Sequence, residues 1–110
     1  MRDWLEQEVI NEVEARRRNE WIEQASESFG LGEGVDEYAC ECSDSSCDAA
    51  ISLSRVEYEF VRRDGTHFAI AVDHENPLID RVISENGRFA VVQKWFGAGR
   101  RIADECNPRC

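Results

Sequence analysis

Three cysteines fall within eight positions in the stretch YACECSDSSCDAA: Cys40, Cys42 and Cys47. They can be buried thiols, a disulfide with a spare thiol, or three of the four ligands of a metal ion. Cys40 and Cys42 are two residues apart, so in an extended segment both side chains point to one side and can face one ion. The SDSS that follows is short and polar enough to turn the chain and return Cys47 to the same point. A disulfide between Cys40 and Cys42 is strained at that spacing. The flanking Glu41, Ser43, Asp44, Ser45, Ser46 and Asp48 are poor company for thiols acting only as core hydrophobes.

Zinc takes four nitrogen or sulfur donors in a tetrahedron, so the spacing predicts a structural zinc site in need of one more ligand. His74, in the strand-breaking DHENP, is the first candidate, with His67, Cys106 and Cys110 as rivals. A polar, acid-rich loop over residues 36–50 has little of its own to bury. Its ordering entropy therefore needs another source of stabilisation, and an ion supplies one.

The pieces Tyr38-Ala39-Cys40-Glu41-Cys42, Cys47, Ile51-Ser52-Leu53, Glu57-Tyr58 and His74-Glu75-Asn76-Pro77 resemble a recurrent pattern in small bacterial proteins of unassigned function. The resemblance runs from about Asn19 to Ala103, with Phe89 to Val92 and Arg101 to Ala103 toward its end. It favours His74 as the fourth ligand and leaves Cys106 and Cys110 outside the pattern. A glycine usually precedes the histidine there, where this chain has Asp73. The resemblance implies no activity.

The elements that must position these residues follow from periodicity. Leu5, Val9, Val13, Trp21, Ile22, Ala25 and Phe29 recur at helical spacing and predict a long helix within residues 1–30, ended by GLGEG. Charge from Ala15 to Asn19 interrupts that stripe, which predicts one packed half and one half free to meet a partner through Trp4, Leu5, Val9 and Val13. Ile51 and Leu53 alternate as a short strand. Ser54 and Glu57 then form a capping-box pair opening a short helix to about Arg63. Phe68, Ile70 and Val72 alternate again, and RVISENGRFAVVQKW reads as a hairpin about Asn86-Gly87. Residues 96–110 read as surface coil. The sum is a single α+β domain: long N-terminal helix, cysteine-rich loop, and a small, mainly antiparallel sheet with one short helix in residues 51–95.

Composition narrows the function. The net charge is -10, and residues 31–50 hold six acids and no Lys or Arg. That balance opposes broad nucleic-acid binding, which depends on neutralising phosphates. The arginine runs 16–18 and 100–101 read as solvated faces. No run is long enough to span a bilayer, and MRDWLEQEVI lacks the character of a secretory leader, so the expected location is the cytoplasm. Neither H-E-x-x-H nor the zinc-deaminase signature is present. Three thiolates and an imidazole fill zinc's shell and leave no open position for chemistry. The expectation is a non-catalytic, zinc-stabilised interaction or regulatory module that binds another protein or itself. A metal- or thiol-redox sensor and a small zinc or thiol enzyme are the alternatives.

Overall fold

Apolar alternation and helical periodicity build most of the expected elements. The computed structural model describes residues 4–28, 35–44, 46–94 and 97–107. Helix α1 (Trp4–Ser28) precedes β1 (Val35–Ala39), β2 (Ala50–Ser54), α2 (Arg55–Arg62), β3 (His67–Ile70), β4 (Asp80–Glu85), β5 (Ala90–Lys94) and α3 (Gly97–Glu105). The fold is α+β. Its strands form two antiparallel sheets, β1–β2 and β3–β5–β4.

Local chemistry explains the element boundaries. The Ser54 hydroxyl accepts from the Glu57 amide and the Glu57 carboxylate accepts from the Ser54 amide, the reciprocal cap that starts α2. Between β4 and β5, Gly87 has φ 84°, a left-handed conformation that glycine adopts without steric cost. The Asn86 side chain accepts from the amides of Arg88 and Phe89 to hold that turn.

The three-stranded sheet separates two apolar clusters, because successive strand residues point to opposite faces. Phe68, Ile70, Ala90 and Val92 pack with Val9, Val13, Ile79, Ala103, Cys40 and Cys42. Ala69 and Val91 pack with Tyr38, Ile51, Leu53, Tyr58, Val61 and Phe89. Tyr38 and Tyr58 stack there with centroids 4.5 Å apart.

Several readings of the sequence are corrected, among them that of Arg16 as part of a solvated face, since it is buried. Val9 and Val13 are 0% and 3% exposed inside the first cluster, so they do not face a partner. Trp21, read as part of the packed stripe, is 71% exposed. Residues 97–105 form α3 rather than coil, since Ala103 is buried in the first cluster and Ile102 packs against it. Residues 35–39, read mostly as loop, form a strand whose Tyr38 lies opposite Ile51. The side chains of Trp4 and Leu5, and GLGEG as a whole, lie outside the described residues.

The charge interruption in α1 has a different meaning from the one its polarity suggests. Arg16 is buried and donates to the carbonyls of Gly65, Ala103 and Cys106 at 2.6, 2.9 and 3.0 Å. Its guanidinium lies 4.5 Å from the Phe68 ring centroid. Burial, then the neighbouring Arg62, lowers its pKa to about 10. Asn19 is also buried and holds both backbone groups of Ala39. Lys94 is enclosed between Glu12 and Asp80, above Phe68. Burial pushes Asp80 up to about 7 and Lys94 well below its ordinary range. The helix is therefore clamped along its whole described middle by buried polar groups.

Two outcomes follow. Deleting residues 1–17 removes Val9, Val13, Glu12 and Arg16 together; the truncated chain is expected to lose cooperative thermal unfolding, followed by circular dichroism. A truncated chain that melts as sharply as the parent would show that the helix is an appendage. Arg62→Met strips the partner from buried Glu41 and is expected to cost about 3–5 kcal/mol in urea denaturation. Adding Glu41→Gln to that variant should recover part of the loss.

Candidate metal centre

The cysteine segment is held as a continuation of β1. The Cys40 amide donates to Ala49 at 3.0 Å, and the Glu41 amide donates to Ala69 of β3 at 2.8 Å. Alternation then turns Cys40 and Cys42 to one side and Glu41 to the other. Glu41 is 0% exposed, which the sequence does not suggest. Its carboxylate accepts from Arg62 at 2.6 Å, from Asn19 at 2.7 Å and from the Ala69 amide at 2.9 Å. The buried carboxylate is thus met by three protein donors. Burial opposes the charge on Arg62, yet Glu41 holds its pKa above the ordinary value. The Nε and second amino nitrogen of Arg62 make no hydrogen bond; the guanidinium carbon lies 5.0 Å from the Tyr58 ring and 6.0 Å from that of Phe68.

The turn that returns Cys47 is local. Asp44 accepts from the Ser46 amide and hydroxyl at 2.9 and 2.6 Å, and its carbonyl accepts from the Cys47 amide at 3.1 Å. Asn11 of α1 secures the start of the turn by donating to the Ser43 carbonyl at 2.9 Å.

His74 arrives from the segment after β3. Its amide donates to the Ala71 carbonyl at 3.1 Å, closing a tight turn. Asp73 within that turn has φ 70°, the left-handed region that costs a side-chain-bearing residue steric energy. Asn76 anchors the far side of the loop, donating from its side chain to Glu8 of α1 and from its amide to Asp80.

These loops bring together Cys40, Cys42, Cys47 and His74. Their ligand atoms all lie within 4.8 Å of one another. His74 Nδ1 is 3.6 Å from the sulfurs of both Cys40 and Cys47. A tetrahedron with metal–sulfur bonds of about 2.3 Å and a metal–nitrogen bond of about 2.0 Å has a sulfur–nitrogen edge of about 3.5 Å. The two His74–sulfur distances are close to that edge, and the four donors, all within 4.8 Å of one another, can hold a metal ion.

Outer contacts support the same geometry. The Ala71 amide donates to the Cys40 sulfur at 3.1 Å, an interaction suited to a thiolate. Cys40 sharing its proton with Cys42 is the largest effect lowering Cys42 to about 5, and the same sharing with burial pushes Cys40 up. Burial also raises Cys47. The cluster already favours negative charge at one sulfur, which a cation would extend to all three.

The rival ligands are elsewhere. His67 Nε2 lies 3.5 Å from Asp64, and Cys106 is exposed, contributing its backbone carbonyl to Arg16. Neither belongs to the cluster, and Cys110 lies outside the described residues.

Sequence reasoning missed the brackets on α1. Glu12, Arg16, Asn19 and Glu23 recur at helical spacing and are all buried. That periodicity was a usable signal, hidden because polarity was equated with exposure. Comparison of the chain with protein-family models, with curated proteins and with solved structures finds no match.

The turn before His74 supplies a direct check. Asp73→Gly is expected to bind metal as the parent does, because glycine accepts this backbone. Asp73→Val should cost about 1–2 kcal/mol in thermal or urea unfolding. Equal stability of the two variants would remove the claim of strain.

Proposed function

We propose that this chain is a small, non-catalytic interaction or regulatory module of the cytoplasm, stabilised by a structural zinc ion. The carrying observation is the set of three cysteine sulfurs and one imidazole nitrogen at ligand distance. A soft, sulfur-rich tetrahedral set suits zinc among the common divalent ions. Four protein donors complete its shell, leaving no position for a reacting water or substrate, which favours structure over catalysis.

The ion would join two segments that do not otherwise share an element: the 40–47 loop and the turn after β3. Structural zinc contributes on the order of 10 kcal/mol in small peptides, comparable with the net stability of a whole domain. The site therefore acts as a fastening that the apolar clusters support from beneath, since Cys40 and Cys42 belong to the first cluster and Cys47 packs against it.

For the interaction role, the support is surface chemistry. The outer face of α1 exposes Trp21, and α2 exposes Val56 and Phe60 beside an apolar groove of about 230 Å³. Isolated aromatic and apolar side chains of this kind anchor protein contacts well. Another protein or a second copy meeting α1 would use Trp21 rather than Val9 and Val13. The -10 charge argues against a nucleic-acid partner. Among the described residues, no helix is long and apolar enough to cross a membrane.

Elemental analysis of protein purified without added metal is expected to find one zinc per chain. Cys42→Ser should lose it, and a strong chelator should lower the melting temperature of the parent but not of that variant. Metal-free protein whose melting is indifferent to both zinc and chelator would leave three ordinary thiols. Separately, Trp21→Glu is expected to weaken partner capture or self-association, measured by pull-down and light scattering, while leaving zinc content and melting unchanged.

A further inference from the structure

We propose that the zinc fastening is releasable by oxidation: a hydroperoxide converts Cys42 and Cys47 to a disulfide and expels the ion. This inference rests on the zinc reading above and specifies how that site is regulated. The three sulfurs differ in access and in tethering. Cys40 is 4% exposed, accepts the Ala71 amide at its sulfur and donates its own amide to Ala49, while the next amide, that of Glu41, donates to Ala69. Cys47 is partly exposed; its amide donates within its own turn, to Asp44, and its sulfur meets the backbone amide of Ala49, two residues on. Beside it lies a cavity of about 450 Å³ lined by Arg18, Tyr38 and Asp48, roomy enough for a small peroxide. A second cavity of about 230 Å³, also bordered by Arg18, reaches Cys40 and Cys42.

The acids that flank the cysteines in sequence are turned to other partners. Glu41 points away from the sulfurs and is spent on Arg62, while the side chain of Asp44 is occupied by Ser46. Arg18 borders both approaches, beside Glu37 and Asp48 in the first and Glu14 and Asp44 in the second, and a neutral peroxide is not repelled by those acids.

The choice of partner follows from geometry. A Cys40–Cys42 bond is strained by their adjacency, and Cys40 is pinned in the ladder. Cys42 and Cys47 are joined by the polar turn, and their sulfurs, within 4.8 Å, need only close to about 2 Å. The Cys47 thiolate attacks one peroxide oxygen, the O–O bond breaks, and the departing oxygen takes a solvent proton. The Cys42 thiolate then attacks the sulfenic sulfur at Cys47, forming the S–S bond and displacing hydroxide, which takes a second solvent proton. Two electrons pass from the sulfurs to the peroxide, and the divalent ion leaves hydrated. Only Cys40 and His74 remain as donors, too few to hold it, and the turn after β3 loses the tie to the cysteine loop that runs through the ion.

The test uses the zinc-loaded full chain treated with hydrogen peroxide in the presence of a chromogenic chelator, with peptide mass mapping after alkylation. Loss of the whole equivalent of zinc, a Cys42–Cys47 disulfide, and recovery on adding reductant and zinc are expected. The variant Cys47→His keeps four donors without the attacking sulfur; confirmed to be loaded and folded, it should retain its zinc in peroxide. Zinc that stays bound to the parent would overturn the inference while leaving the zinc reading intact. So would release with a different pairing, or equal release from the loaded Cys47→His chain. A parent chain that cannot be loaded with zinc would overturn both together.

Discussion

A carboxylate and a guanidinium with no access to water, Glu41 and Arg62, meet at the junction of the parts that build the site. Glu41 sits between two cysteines, binds the amide of β3 and receives Asn19 from α1; Arg62 closes α2 and lies over two aromatic rings. Burying such a pair is costly unless every lone pair is met, and replacing both ions with apolar groups can leave a protein equally stable. What the pair adds is position. Its directional bonds fix which side of the cysteine segment faces inward, and hence where the sulfurs point.

Much of the site was legible because cysteines and a histidine able to hold a metal ion carry strong chemical preferences at short spacing. The three cysteines and His74 are brought together as their residue types suggest, and the hairpin and capping box were written in local turn chemistry. What was not legible depended on long-range partners. Arg16 looks solvated until its three carbonyl acceptors are placed, two of them in α3 and just beyond it. The strand at 35–39 carries acids at Asp36 and Glu37 and gains its identity only from pairing with β2. Residues 97–105 contain two glycines and two arginines, and one buried alanine decides that they pack.

The same division explains why α1 misled. A helix face is usually read as apolar or polar, meaning inside or outside. Here Val9 and Val13 share the inward side with Glu12, Arg16 and Asn19, so the buried face is mixed. The apolar members pack on the sheet, while Glu8, Asn11 and Asn19 reach the loops that carry the ligands. One helix thus serves as both core and scaffold.

The reach of Arg16 also bears on how the chain is made. Its acceptors at Ala103 and Cys106 lie 87 and 90 residues further along. During synthesis α1 leaves the ribosome long before those carbonyls exist, carrying a cation meant for a dry interior. Contacts of such long range form late, and surface awaiting them is open to wrong association in the meantime. The guanidinium stays hydrated through that interval, and its bonds to Ala103 and Cys106 form only once residues 97–107 have emerged.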